Sequence, residues 1–103
     1  MKKIYLMQQE NSNLFKIGFS HKEKTRKNIL QTGNPEKIII VNTFETKTDG
    51  RQLEVAVHAH YRLKHYRGEW FELNTQDIKE FLDVCTKLEN SIMFLKNSGN
   101  YFF

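Results

Sequence analysis

Leu14-Phe15-Lys16-Ile17-Gly18-Phe19 carries apolar or aromatic side chains at four of its six positions, a run too short for a helix and dense enough for a strand. A similar run, Ile4-Tyr5-Leu6-Met7, precedes it, and the polar stretch Gln8 to Asn13 between them reads as a hairpin loop. Downstream, Ser20-His21-Lys22-Glu23 has the form of a capping box, in which the Ser20 hydroxyl takes a free amide and Glu23 reaches back. A helix is expected over about 21–31, ended by Gly33 and by Asn34-Pro35. Ile38 to Phe44 is β-branched and almost continuously apolar, a strand expected inside the sheet or covered on both faces. Past a polar linker, Asp49 is the expected N-cap of a second helix that runs to about Tyr66.

Gly68 to Leu73 is too short for a helix and aromatic enough for a brief strand. Asn74 opens a third helix, on which Ile78, Phe81, Leu82, Cys85, Leu88, Ile92 and Leu95 recur at helical spacing as a core stripe. Asn97 to Asn100 ends it, and Tyr101-Phe102-Phe103 either docks on the body or contacts a partner. The class is α+β: a small antiparallel sheet of three main strands flanked by helices, with the third helix closing the core.

A chain of 103 residues has room for one domain with one modest core, here expected to span 1–103. With 39% hydrophobic residues and eight Phe, a core forms without disulfides, and one Pro with 27% charged residues argues against a disordered chain. The single cysteine, Cys85, has no internal partner; it fits a reducing interior and a place in the core. No signal peptide follows Met1-Lys2-Lys3, and no apolar run approaches the ~18 residues of a membrane span. A cytoplasmic location is expected, or a nuclear one in a eukaryote or its virus, with no membrane partner. Charge is uneven: 13 Lys/Arg stand against seven Asp/Glu up to Phe71, and three against five beyond it. The first two thirds are therefore the part suited to a polyanion.

Helix geometry gives the second helix two stripes. Leu53, Ala56, Val57 and His60 form the apolar one, so His60 is expected packed and hydrogen-bonded. Glu54, His58, Tyr61 and His65 form another, about 110° away, which puts a carboxylate on the helix flank where it borders a groove. Arg26 lies near Ile29 and Leu30, on the side of the first helix facing the sheet, where a guanidinium needs an anion. A structural salt bridge and a phosphate clamp both satisfy that need. Trp70 and Phe71 are read as anchors of the third helix, with base stacking by Trp70 as the alternative, and Glu69 as the ion-pair partner of a nearby basic residue. Four scattered histidines and one cysteine give no zinc spacing.

Taken in order, these motifs resemble the GIY-YIG nuclease superfamily, in the branch of bacteriophages, large DNA viruses and microbes that reads Lys-Ile-Gly for the second signature. Lys3-Ile4-Tyr5 stands for Gly-Ile-Tyr and Lys16-Ile17-Gly18 for Tyr-Ile-Gly. Arg26 falls at the helical arginine, Gln31-Thr32-Gly33-Asn34-Pro35 matches the run after it, and Leu53-Glu54 with His58, then Glu69-Trp70-Phe71, complete the pattern. The likeness covers roughly residues 3–73, with 74–103 as a packing helix and tail. It implies a divalent-metal-dependent DNA endonuclease that hydrolyses one phosphodiester, acting on double-stranded or branched DNA. By that resemblance Glu54 holds Mg²⁺ or Mn²⁺, Arg26 balances charge on the phosphate, and Tyr5 activates or orients water. Lys16 replaces a tyrosine and contacts phosphate, and His58 orients the site or shuttles a proton. Lys3, Lys16 and Leu30 depart from the commoner pattern, and only Asn74 stands near its late asparagine. Two other classes remain open on sequence: a nucleic-acid-binding module that cleaves poorly or not at all, and a partner-binding protein of a virus or mobile element.

Overall fold

The computed structural model describes residues 2–20, 27–28, 31–33 and 36–97. Within them the sheet has strands β1 (Lys3–Gln9), β2 (Leu14–Ser20), β3 (Ile38–Glu45), β4 (His65–Arg67) and β5 (Trp70–Glu72), with helices α1 (Gly50–His60) and α2 (Thr75–Asn97). The expected hairpin is β1–β2, with Tyr5 opposite Gly18 and Met7 opposite Lys16; Asn11 takes the positive φ of its loop. The α+β class stands, but the sheet is five-stranded and antiparallel, in the order β3-β1-β2-β5-β4.

The two additional strands explain a second departure. The α-helix expected to continue to Tyr66 ends at His60, and Arg62–Lys64 tighten into a single 3₁₀ turn. Extended backbone at 65–67 pairs with β5, and β5 in turn pairs with β2. Local propensity favoured more helix there; strand pairing with a distant segment overrides it. Gly68 supplies φ +56° in the two-residue turn joining the short strands, where tight hairpins ask for a positive φ. A third departure concerns β3, which lies at the edge of the sheet beside β1 and is mostly half-buried. The covered strands are β1, buried continuously from Ile4 to Met7, and β2, buried from Phe15 to Gly18.

Strand alternation separates two apolar layers. Ile4, Leu6, Phe15 and Ile17 meet Leu53 and Val57 of α1 and Phe81, Cys85 and Ile92 of α2. Tyr5, Met7 and Ile38 form a smaller cluster with Trp70 on the other face. Because neighbours on a strand point oppositely, Phe71 alone joins the helix side, which corrects the joint anchoring expected of Trp70 and Phe71. Val84 is buried and Leu82 points outward, so the inner stripe of α2 is displaced from the expected one at that turn. Cys85 is buried as expected, and burial pushes its thiol pKa up to about 12, with the Glu89 charge adding to the effect.

Both predicted caps form. The Asp49 carboxylate accepts from the Arg51 amide at 2.9 Å. Asn74 and Asp77 cap α2 reciprocally, each amide donating to the other's side chain at 2.9 Å. Lys64 donates to Asp77 at 2.6 Å. Burial would raise the Asp77 pKa, but Lys64 and the Asn74 amide outweigh it and hold the carboxyl below its ordinary range. Its support of the fold is therefore complete above the ordinary aspartate pKa and is lost as pH falls through the lower folded value. The segment between β3 and α1 is held by Glu89, whose Oε1 accepts from the Thr46 hydroxyl at 2.7 Å and the Lys47 amide at 2.6 Å. The capping box at 20–23, Arg26, the Asn34-Pro35 stop and the Tyr101–Phe103 tail involve positions outside the described residues.

Gly50, the first residue of α1, lets the helix approach β2 closely: a Cβ there would collide with the Phe19 ring. Helix propensity alone says Gly50→Ala stabilises by up to about 1 kcal/mol. Overpacking costs about 1–3 kcal/mol and wins, so Gly50→Ala is expected to lower the urea midpoint.

Candidate functional site

β2 has two neighbours along only part of its length. On one side β1 follows it throughout, while on the other β5 pairs only with Leu14, Phe15 and Lys16. The Ile17 amide still donates to the Glu69 carbonyl at 3.1 Å, and there the strand partner ends. Two backbone groups on that side, the Ile17 carbonyl and the Phe19 amide, need partners from elsewhere. Both come from α1. His58 Nε2 donates to the Ile17 oxygen at 2.8 Å, and the Phe19 amide donates to the Glu54 carboxylate. The four-residue spacing of Glu54 and His58 stacks them on one side of the helix, so one helical turn closes the open edge of a strand.

Tyr5 approaches from the other face of the sheet. Its ring lies over Gly18, its cross-strand partner, and any side chain at Gly18 would collide with the hydroxyl and ring. The glycine of Lys16-Ile17-Gly18 is thus the seat of the tyrosine of Lys3-Ile4-Tyr5. Lys16 stands on the same face and is buried to 7% exposure. Its ammonium lies 3.6 Å from Glu69 Oε1 and 5.7 Å from the centre of the Trp70 ring. Tyr5, Lys16, Glu54 and His58 therefore gather around the Lys16–Phe19 segment of β2. Arg26 lies outside the described residues.

The stripe drawn through Glu54, His58, Tyr61 and His65 holds for its first two members. Tyr61 turns inward, stacks on Phe81 at 6.5 Å and buries its hydroxyl, with no hydrogen-bond partner among the described residues; burial drives its pKa well above the usual phenol value. His65 belongs to β4, where Nε2 bonds the Gly68 carbonyl at 2.8 Å. His60, expected to be packed, is exposed and meets Tyr61 edge-on at 4.7 Å. The chain leaves the helix at that point, and Tyr61 takes the inward place.

Two residues make contacts that the sequence alone does not reveal. Glu69 was assigned a basic partner, which it has, but its effect on Glu54 was not foreseen. Burial and then the Glu69 charge raise the Glu54 pKa, against the opposing effects of His58, Arg51 and the Phe19 amide. Gly68 and Glu69, read as part of a brief strand, form instead the turn of the added hairpin, and that turn brings Glu69 toward α1. Gln31 is the other: it accepts from the Ile38 amide at 2.6 Å and donates to the Glu36 carbonyl at 2.8 Å, fixing the entry to β3.

For a divalent cation the donor chemistry is suitable: a hard oxygen from Glu54, in surroundings where burial and a second carboxylate already disfavour its negative charge. Among the described residues no three His, Cys, Asp or Glu side chains are grouped to hold an ion. Also among the described residues, no helix is long and apolar enough to cross a membrane.

The α+β fold thus gathers a tyrosine, a lysine, a carboxylate and a histidine at one strand edge. The chain belongs to the T5orf172 domain family, whose model matches residues 2–86; the domain is phage-associated and nuclease-related. Neither the curated proteins nor the solved structures contain a match to the chain.

The raised Glu54 pKa gives a signed prediction. Ionised Glu54 opposes folding above its folded pKa, and the penalty vanishes below the ordinary glutamate value of 4.5. Glu54→Gln keeps an acceptor for the Phe19 amide. It is expected to raise the thermal midpoint at neutral pH and to give no gain below about pH 4, measured by circular dichroism across pH.

Proposed function

We infer that this chain is a divalent-metal-dependent DNA endonuclease domain of the GIY-YIG type, hydrolysing a phosphodiester bond. The observation that carries the reading is the convergence at β2: Tyr5 seated on Gly18, and Glu54 bonded to the neighbouring Phe19 amide. Membership of a nuclease-related family supports the same substrate class.

In this reading Glu54 and water hold Mg²⁺ or Mn²⁺, which would polarise the phosphate and stabilise the leaving oxygen. Tyr5 orients the attacking water, its ring held by the seat at Gly18. Lys16 offers positive charge to the phosphate from the same face. His58 keeps the Ile17 carbonyl satisfied and thereby holds β2 in register with α1, a positioning role; by the resemblance it also orients the site or passes a proton. Arg26 is assigned the phosphate charge by the same resemblance. DNA, double-stranded or branched, is the proposed partner.

Supercoiled plasmid tests this directly. Wild type should nick it with Mg²⁺ or Mn²⁺ and stop on addition of EDTA, while folded Glu54→Ala should lose at least about a hundredfold in rate, as expected for a residue that carries the metal. Salt-sensitive DNA binding with no nicking under any metal would overturn the endonuclease and leave a binding module. If neither occurs, the partner-protein reading replaces both.

A further inference from the structure

Lys16 is the one lysine among the described residues whose side chain is buried in the sheet, and its neighbours form a pattern. Cross-strand pairing places Lys16 beside Trp70, and Trp70 beside Arg67, so a cation, an indole and a second cation cross β2, β5 and β4 in one row. Lys16 and Trp70 lie on the Tyr5 face of the sheet, and Arg67, paired with Trp70 just past a register shift in β4, is exposed. A buried ammonium needs an anion. The one beside it is Glu69, whose carboxylate is 38% exposed and stands 3.6 Å away.

This pair contrasts with Lys64 and Asp77, where two carboxylate oxygens are engaged and the closest at 2.5 Å. A longer pair with one partner open to water is a weak tie. The Glu69 backbone, however, is secured by its bond from the Ile17 amide, so the carboxylate can swing away without moving β5. We propose that Glu69 is an internal placeholder for a nucleic-acid phosphate: it neutralises Lys16 in the free protein and is displaced when a strand enters along the Arg67–Trp70–Lys16 row.

A phosphodiester fits the exchange better than a carboxylate ligand, since the row pairs two cations with an aromatic face, the combination that follows a nucleic-acid backbone and its bases. Glu69 is accordingly a positioning residue. Its negative charge opposes the incoming strand, and Lys16 stays unavailable until a stronger anion arrives. The inference rests on the reading that the chain binds DNA, and goes beyond it by assigning the counterion that DNA replaces.

The test is fluorescence anisotropy of a labelled DNA duplex in EDTA over a range of salt concentrations, so that no cleavage intervenes. Glu69→Gln should tighten binding by up to about fivefold, the worth of one weak ion pair, with an unchanged salt slope. Lys16→Met, confirmed folded by circular dichroism, should reduce the slope of log affinity against log salt by roughly 0.9, the loss of one phosphate contact. Trp70 is the sole tryptophan, so its emission reports the row directly and should change on DNA addition in wild type and in Glu69→Gln. DNA binding that Glu69→Gln does not tighten, with a silent Trp70, would overturn the placeholder while leaving the nuclease reading intact; an unchanged slope in Lys16→Met would overturn the placeholder and also remove Lys16 from the phosphate. No DNA binding by wild type would overturn both.

Discussion

A β-strand that loses its neighbour halfway along must find other partners for its backbone, and that constraint organises this molecule. β5 ends beside Lys16, leaving the Ile17 carbonyl and the Phe19 amide turned toward α1. A helix can answer two such groups only if it comes close and offers two polar side chains one turn apart. Gly50 permits the approach and Glu54 with His58 provide the side chains. Structural completion of the sheet and assembly of the candidate site are thus the same set of contacts. The arrangement has a cost, because the carboxylate that finishes the strand is one that burial and Glu69 discourage from ionising.

The two faces of the sheet divide the work. Ile4, Leu6, Phe15 and Ile17 build the larger core against both helices, and the residues between them place Tyr5 and Lys16 on the other side. Gly18 joins the two arrangements: its lack of a side chain lets the Tyr5 ring lie flat across β2, next to the residue whose amide Glu54 holds. Chemistry from one face and from the helix flank can meet there because β5 stops at Lys16 and side chains of α1 take its place along the edge.

Much of this was legible in local patterns. Short apolar runs at 4–7 and 14–19, with the polar loop between, specified the hairpin, and Asp49 and Asn74 announced the helix starts. Ordered spacing drew attention to Tyr5, Lys16, Glu54 and His58, which the fold brings to one segment of β2. What was not legible depended on distant partners. His65 to Arg67 look like continuing helix until β5 is available to pair with them, and β3 reads as a central strand because β-branched composition does not encode strand order. Glu69 was visible as a charge, but its influence on Glu54 exists only once the added hairpin stands beside α1. Tyr61 and His60 exchanged roles for the same reason, since the stripe of an ideal helix ceases to apply where the helix stops.

Glu89 gives the domain a boundary that sequence similarity does not draw. The family match closes at residue 86, yet three residues further along α2 this buried carboxylate gathers the Thr46 hydroxyl and the Lys47 amide. Those residues lead directly into Asp49 and Gly50, where α1 begins. The far part of α2 therefore acts as a tether on the helix that carries Glu54. A chain trimmed to the matched region would retain every residue proposed for chemistry and lose the anchor that sets where their helix starts.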